Sequence, residues 1–195
     1  MKILKNHFYA MMARMKNIYR WGLMRNMRRE NLSEHSLEVA QIAHALAIIN
    51  NKRFGGNIDP NFTAVVAMYH DTCEIITGDM PTPIKYYNSE IKSAYKKIET
   101  EAQKQLKAML PEDFRDAFAP IYDPDDKTEK IVKAADKLSA LIKCNEELNL
   151  SNREFEIAAK STRDSIEKMG VPEALVFLEE FIPAYSLSLD ELKSE

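Results

Sequence analysis

The chain has 195 residues, 45% of them hydrophobic, a net charge of −3 and a pI near 5.9. One domain with a proper core fits that length, while the acidic balance argues against a nucleic-acid polymer as partner, because backbone binding rests on cationic groups. With five Gly and no long polar run there is no sign of a linker, no apolar stretch reaches bilayer length, and neither Cys73 nor Cys144 belongs to a CxxC pair.

The first residues, Met1 to His7, lack the apolar core of a signal peptide, so a cytoplasmic location and no membrane association are expected. Ser33 to about Asn51 carries Val39, Ile42, Ala43 and Leu46 at a helical period. Ser33 is the expected N-cap, and Gly55-Gly56 ends the unit. Asp59-Pro60 restarts the chain into a helix from about Asn61 to Ile76, closed by Gly78. Thr77 to Asn88 holds Gly78, Pro81 and Pro83 and is expected to be an ordered loop. A helix rich in Lys, Glu, Gln and Ala follows from about Ser89 to Leu110, and its Lys92 to Lys107 stretch reads as a solvated face. Pro111 starts a short helix toward Phe118. Further helices are expected over about Thr128 to Leu148, Asn152 to Met169 and Pro172 to Phe181, with Gly170 breaking the last pair. No strand alternation and no repeat is evident. The expected fold is all-α, one irregular or orthogonal helical bundle spanning residues 1–195.

Four residues are candidate metal ligands, although His35 and Asp136, each taken alone, are better explained by an ordinary partner. His70 and Asp71 are adjacent within Met68 to Glu74. On a continuous helix, His70 and Glu74 are four apart and Asp71 and Glu74 three apart, so all three can crowd one rim. An imidazole beside a carboxylate suits a borderline-hard divalent cation, but two ligands are too few. His35 shares the inward face of Val39, Ile42 and Leu46, where a metal or a backbone carbonyl could satisfy it. Asp136 interrupts an otherwise apolar run, Ile131 to Leu138, where either a metal or a salt bridge to Lys133 or Lys137 could satisfy it.

Taken together, His35, then His70-Asp71, then Asp136 resembles the HD superfamily of metal-dependent phosphohydrolases. Four segments carry a closer resemblance, to the bacterial 5'-deoxynucleotidases (the YfbR-like group): Tyr19 to Asn26, Glu30 to Leu37, Met68 to Glu74, and Thr77 to Lys85. The likeness extends to Leu189-Asp190-Glu191. It implies an HD-type helical fold, a homodimer, and hydrolysis of deoxyribonucleoside 5'-monophosphates with several bases accepted. The cofactor it implies is a divalent transition metal such as cobalt or manganese, held by His35, His70, Asp71 and Asp136. Glu74 is then the general base or proton shuttle. Arg20 and Trp21 contact substrate, Arg20 as a catalytic phosphate clamp and Trp21 favouring the deoxy sugar. His35, Asp79, Thr82, Pro83, Ile84 and Lys85 complete the expected substrate contacts. Left to its own chemistry, Trp21 reads as core packing, and residues 79–85 have a solvated turn as their alternative reading. Cys73, between Asp71 and Glu74, need not be a ligand. Another HD activity on cyclic nucleotides or triphosphates, or a catalytically silent nucleotide-binding bundle, are the competing readings. Arg20-Trp21 and the Thr82-Pro83 loop speak against the first, and retention of all four ligands with Glu74 against the second.

Overall fold

A computed structural model describes residues 6–193, so the N-terminal residues 1–5 read above, and 194–195, lie outside the described part. Among the described residues the architecture is helical: α1 (Phe8–Met12), α2 (Leu32–Arg53), α3 (Pro60–Tyr69), α4 (Glu74–Thr77), α5 (Thr82–Lys85), α6 (Ser89–Ala108), α7 (Arg115–Tyr122), α8 (Asp126–Asn149), α9 (Glu156–Lys168), α10 (Pro172–Glu180) and α11 (Leu189–Lys193). Short 3₁₀ turns join several of them. The only strand-like feature described is one antiparallel bridge between Tyr19 and Asn31.

Helices α2, α3 and α8 pack together, with α9 and α10 closing the other side of α8 and α2. Their shared core includes Val39, Ile42, Leu46, Val66, Ala134, Leu138, Leu141 and Ile166. A smaller cluster of Phe8, Leu106, Leu110 and Phe118 ties α1, α6 and α7 together. Leu46 is fully buried. Leu46→Ala removes that packing and is expected to cost about 2–5 kcal/mol in urea unfolding. A loss below about 1 kcal/mol would show that α2 does not face the core as placed.

Local chemistry corrects several helix limits. The N-cap of α2 is Asn31, not Ser33: the Asn31 side chain accepts from the Ser33 and Glu34 amides, and the Glu34 carboxylate returns to the Asn31 amide. That reciprocal capping box satisfies donors which Ser33, already inside the first turn, cannot reach. Asp125 likewise caps α8, three residues before the expected start at Thr128.

The expected continuous helix from Asn61 to Ile76 is broken. α3 stops at Tyr69, His70 is its C-cap, and residues 71–73 form a turn before α4 begins at Glu74. The backbone tightens there to i→i−3 bonds, with His70 N–H to Ala67 at 3.4 Å, Thr72 to Tyr69 at 3.3 Å and Glu74 to Asp71 at 2.9 Å. The simple i, i+4 relation of His70 and Glu74 is therefore not what brings this segment together. The Thr77 to Asn88 loop also contains one helical turn, α5, with Pro83 in its first positions, where a missing amide hydrogen is harmless.

The segment between α1 and α2 is irregular but anchored. Arg20 N–H donates to the Glu30 carbonyl at 3.1 Å and Leu32 N–H to the Ile18 carbonyl at 2.9 Å. At the far end of the loop, the fully buried Glu147 carboxylate accepts from the Met27 and Arg28 amides at 2.9 and 3.1 Å. Buried Lys143 bonds both Glu147 and the Arg28 carbonyl. Asn152 donates to Glu147 at 2.8 Å and to the Arg25 carbonyl at 2.7 Å. The outer loop is thus clasped to the C-terminal end of α8.

Candidate metal centre and active site

Three helical units deliver the four donors. His35 comes from the first turn of α2, His70 and Asp71 from the tight turn after α3, and Asp136 from the middle of α8. One ligand atom from each lies within 4.8 Å of all the others. His35 Nε2 is 3.1 Å from Asp136 Oδ1 and 3.6 Å from Asp71 Oδ2. His70 Nε2 is 3.1 Å from Asp71 Oδ2 and 4.0 Å from Asp136 Oδ1. Donors each about 2.0–2.3 Å from one ion would be spaced by roughly 3–4 Å, as these are.

The two imidazole nitrogens test the fit independently. Both His35 Nε2 and His70 Nε2 are buried and make no hydrogen bond, although carboxylate oxygens stand beside them. The nitrogens and oxygens lie side by side without pointing at one another, as donors aimed at a common point do. His70 Nδ1 donates to the Ala67 carbonyl at 2.6 Å, which leaves Nε2 with its lone pair. His35 Nδ1 faces Ser139 Oγ at 3.1 Å, and the Ser139 hydroxyl itself donates to Glu38 at 2.6 Å. The serine must then accept from Nδ1–H, and His35 also presents a free Nε2. Two nitrogens and two carboxylates suit a divalent transition metal.

Electrostatics agree. Burial and the Arg20 charge disfavour a protonated His35, yet Asp136, Asp71 and Glu30 hold its pKa well above the ordinary value. A bound cation competes with that proton, since ligation takes neutral imidazole. Burial likewise opposes the Asp136 carboxylate, but the contact with His35 holds its pKa down at about 2. Asp71 is held low in the same way by His70 and His35. Asp136 is not spent on Lys133, which pairs with Glu129 at 2.6 Å.

Arg20 sits directly against this cluster. Its guanidinium lies 3.5 Å from Asp71, 4.0 Å from Asp136 and 3.4 Å from Glu30. Burial opposes its charge, and those carboxylates more than restore it. Trp21 adopts a left-handed backbone, φ 60°, and rests its ring against Phe155 at 5.4 Å. Asp79 lies near Arg20 and the Trp21 amide, and burial raises its pKa despite them. Glu74 is buried, outside the ligand set, with Oε2 unpartnered. Burial pushes its pKa up to about 9, helped by the charges of Asp71 and Asp79.

A cavity of about 640 Å³ opens beside His70, Asp71 and Asp136, walled by Lys85, Tyr95, Lys92 and Lys96 among others. Lys92 and Lys96 of α6 are exposed, as expected for a solvated face, and also line this cavity. Lys85 is on this wall but is bonded to Glu99 at 2.7 Å. Thr82, Pro83 and Ile84 are exposed and do not line the cavity. Cys73 is buried and outside the ligand set. Sequence reasoning passed over Glu30, Glu38 and Ser139, which surround His35. Glu30 and Glu38 lie in or beside a charged run that gives no hint of burial.

Residues 7–185 match the family described as 5'-deoxynucleotidase YfbR-like. This chain belongs to that family. The 5'-deoxynucleotidase of Vibrio parahaemolyticus is 50% identical to it over 191 residues, covering 96% of this chain and 98% of the relative. The 5'-deoxynucleotidase YfbR of Escherichia coli is 48% identical over 194 residues, 98% of each chain. Among solved structures, an HD-domain phosphohydrolase from Listeria innocua superposes with a TM-score of 0.79 at 21% identity, covering 97% of this chain and 92% of that one. The cyanophage S-2L HD phosphohydrolase, bound to dA and one catalytic Zn²⁺ ion, gives 0.65 at 17% identity over 94% and 99%. These structural likenesses place the YfbR-like chain in the all-α HD fold. No helix among its described residues is long and apolar enough to cross a membrane.

Proposed function

We propose that the chain is a metal-dependent 5'-deoxynucleotidase that converts deoxyribonucleoside 5'-monophosphates to deoxynucleoside and phosphate. The observation that carries the site is the convergence of four donors, two of them unpartnered imidazole nitrogens, beside one buried arginine. Family membership supplies the reaction, and the phage homologue bound to dA and Zn²⁺ supports a deoxynucleoside at such a centre. His35, His70, Asp71 and Asp136 hold the cation, which supplies Lewis-acid polarisation of a phosphoryl oxygen and acidified water. Arg20 binds the 5'-phosphate with its fork of donors while Glu30 steadies it from behind. Glu74 takes the proton of the attacking water, and Asp79 handles the proton of the departing 5'-oxygen. His35 also borders the substrate, and Lys85, with the neighbouring Thr82, Pro83 and Ile84, flanks the phosphate approach. Cobalt or manganese is the expected metal, and the enzyme works as a one-domain homodimer in the cytoplasm.

Phosphate release from a panel of deoxy- and ribonucleoside monophosphates, after chelation and re-addition of single metals, tests this reading. Release from dAMP that is abolished by chelation and restored by cobalt or manganese is expected. A chelated enzyme of unchanged rate would overturn it.

Trp21 provides the sugar wall. A ribose presents its 2'-hydroxyl to the ring, losing water without a partner, at about 1–3 kcal/mol. That predicts about 5- to 150-fold higher kcat/KM for dAMP than for AMP, with base identity mattering far less. Trp21→Ala is expected to narrow the ratio. Equal kcat/KM for dAMP and AMP in the native enzyme would remove the deoxy selectivity.

A further inference from the structure

One carboxylate is bonded to Trp21 and stands within ion-pair distance of Arg20 and His35. Glu30 Oε2 accepts the Trp21 indole N–H at 2.8 Å and stands 3.4 Å from Arg20 Nε. Its other oxygen, Oε1, stands 3.6 Å from His35 Nδ1. The side chain is only 13% exposed. Its backbone is pinned as well, because the Glu30 carbonyl receives the Arg20 amide beside the Tyr19–Asn31 bridge. We infer that Glu30 is a positioning residue that couples the metal ligand His35 to the sugar wall Trp21 and the phosphate clamp Arg20, so that metal affinity and sugar selectivity are set by one side chain. The inference rests on the roles proposed above for Trp21, Arg20 and His35.

The physical basis is that a carboxylate has two acceptor oxygens and no donor. Of its three neighbours here, the Trp21 indole N–H donates to it, the Arg20 guanidinium faces it at ion-pair distance, and His35 Nδ1, whose N–H goes to Ser139, stands beside its other oxygen. Glutamine has the same shape but only one acceptor oxygen. Glu30→Gln removes the negative charge that faces Arg20 and His35, and its NH₂ must stand either beside His35 Nδ1 or against the Trp21 indole N–H, donor against donor. The Trp21 backbone makes its hold on the indole more consequential. A left-handed φ costs a non-glycine residue free energy, and the indole–Glu30 bond offsets it together with the Phe155 ring contact and the Asn26 bond to the Trp21 carbonyl. Ser139 also holds His35 Nδ1, so His35 is not released entirely when Glu30 changes.

Trp21 is the only tryptophan of the chain, which makes its fluorescence a direct reporter. The test uses chelated full-length protein titrated with Zn²⁺ alone, followed by calorimetry and by tryptophan emission, and the metal-reconstituted enzyme assayed on dAMP and AMP. Thermal unfolding checks that each variant is folded. In native protein, Zn²⁺ is expected to change the Trp21 emission through His35 and Glu30. In Glu30→Gln, Zn²⁺ affinity is expected to fall about 10–100-fold, in the range of partners that orient metal-bound histidines. The emission change at saturating Zn²⁺ is expected to vanish, and the dAMP/AMP ratio to move toward that of Trp21→Ala. Trp21→Phe keeps a ring but lacks the N–H, so Glu30→Gln added to it is expected to narrow the ratio no further. A folded Glu30→Gln with native Zn²⁺ affinity and a native dAMP/AMP ratio overturns the inference, as does native emission that ignores saturating Zn²⁺. If the native enzyme does not discriminate dAMP from AMP, the sugar-wall role of Trp21 fails by itself, and the link through Glu30 then stands or falls on the Zn²⁺ titrations.

Discussion

Asp71→Asn is expected to reduce kcat on dAMP well beyond the ~10–100-fold that loss of an outer partner of a metal ligand costs. Asp71 Oδ2 is central to the site, at 3.1 Å from His70 Nε2, 3.6 Å from His35 Nε2 and 3.5 Å from Arg20. Asparagine preserves the shape and one oxygen but removes the negative charge that favours a dication. Arg20 keeps Glu30 and Asp136 nearby, so the fold should persist with little change in melting temperature. Metal content after gel filtration and kcat with excess cobalt or manganese are the measurements. Chelated native enzyme and Asp71→Asn should share the same low rate, and metal should rescue only the native enzyme. Native-like turnover in Asp71→Asn would place the centre elsewhere.

Glu74→Gln is expected to lower kcat by about 10²–10⁴ while metal and substrate still bind. Glu74 is outside the ligand set, so lost metal binding in this variant would instead make it a ligand or a prop. The same variant has a signature unrelated to turnover. In the metal-free protein the Glu74 pKa is pushed up to about 9 by burial, then by Asp71 and Asp79, against 4.5 ordinarily. Between those values the folded state holds a proton that the unfolded chain has released. Stability therefore falls as pH rises from about 4.5 to about 9. Glu74→Gln removes that contribution, so its metal-free melting temperature should decline less over this window than the native one. Parallel declines in both proteins would show that Glu74 titrates normally. A bound cation favours the ionised carboxylate, the form needed to accept a proton.

Much of the site was legible only as a set, through the resemblance of His35, His70-Asp71 and Asp136 to the HD pattern, because each residue alone admitted an ordinary partner. His35 on the face of Val39, Ile42 and Leu46, and Asp136 within an apolar helix, both need a partner, and the structure brings them to one point. What periodicity missed is the break after Tyr69. A turn with i→i−3 bonds advances the chain through nearly the same dihedrals as a helix, so the spacing of apolar residues barely changes. The N-cap of α2 was readable in principle, since Asn31 and Glu34 have the spacing of a capping box, but Ser33 offered an equally good oxygen two residues on. Glu30 gave no such clue. It lies among Arg28, Arg29 and Glu34, and only the pairing of Tyr19 with Asn31 turns it inward. Lys143 and Glu147 show the converse, an i, i+4 pair with the spacing of a surface ion pair that is in fact buried.

That buried pair has an evolutionary consequence. Glu147, Lys143 and Asn152 grip the loop through the Met27 and Arg28 amides and the Arg25 and Arg28 carbonyls, atoms that nearly every residue type possesses. The Met27 side chain adds little to the grip, being 67% exposed, whereas the Arg25 side chain pairs with Glu154 and Asn26 bonds the Trp21 and Met24 carbonyls. Positions 27 and 28 can therefore drift in sequence while Arg20 and Trp21 stay in register with His35, His70, Asp71 and Asp136. Proline is the exception at positions 27 and 28, because it has no amide hydrogen to offer Glu147. Helix α8 carries Asp136 as well as the grip, and so keeps both in one frame.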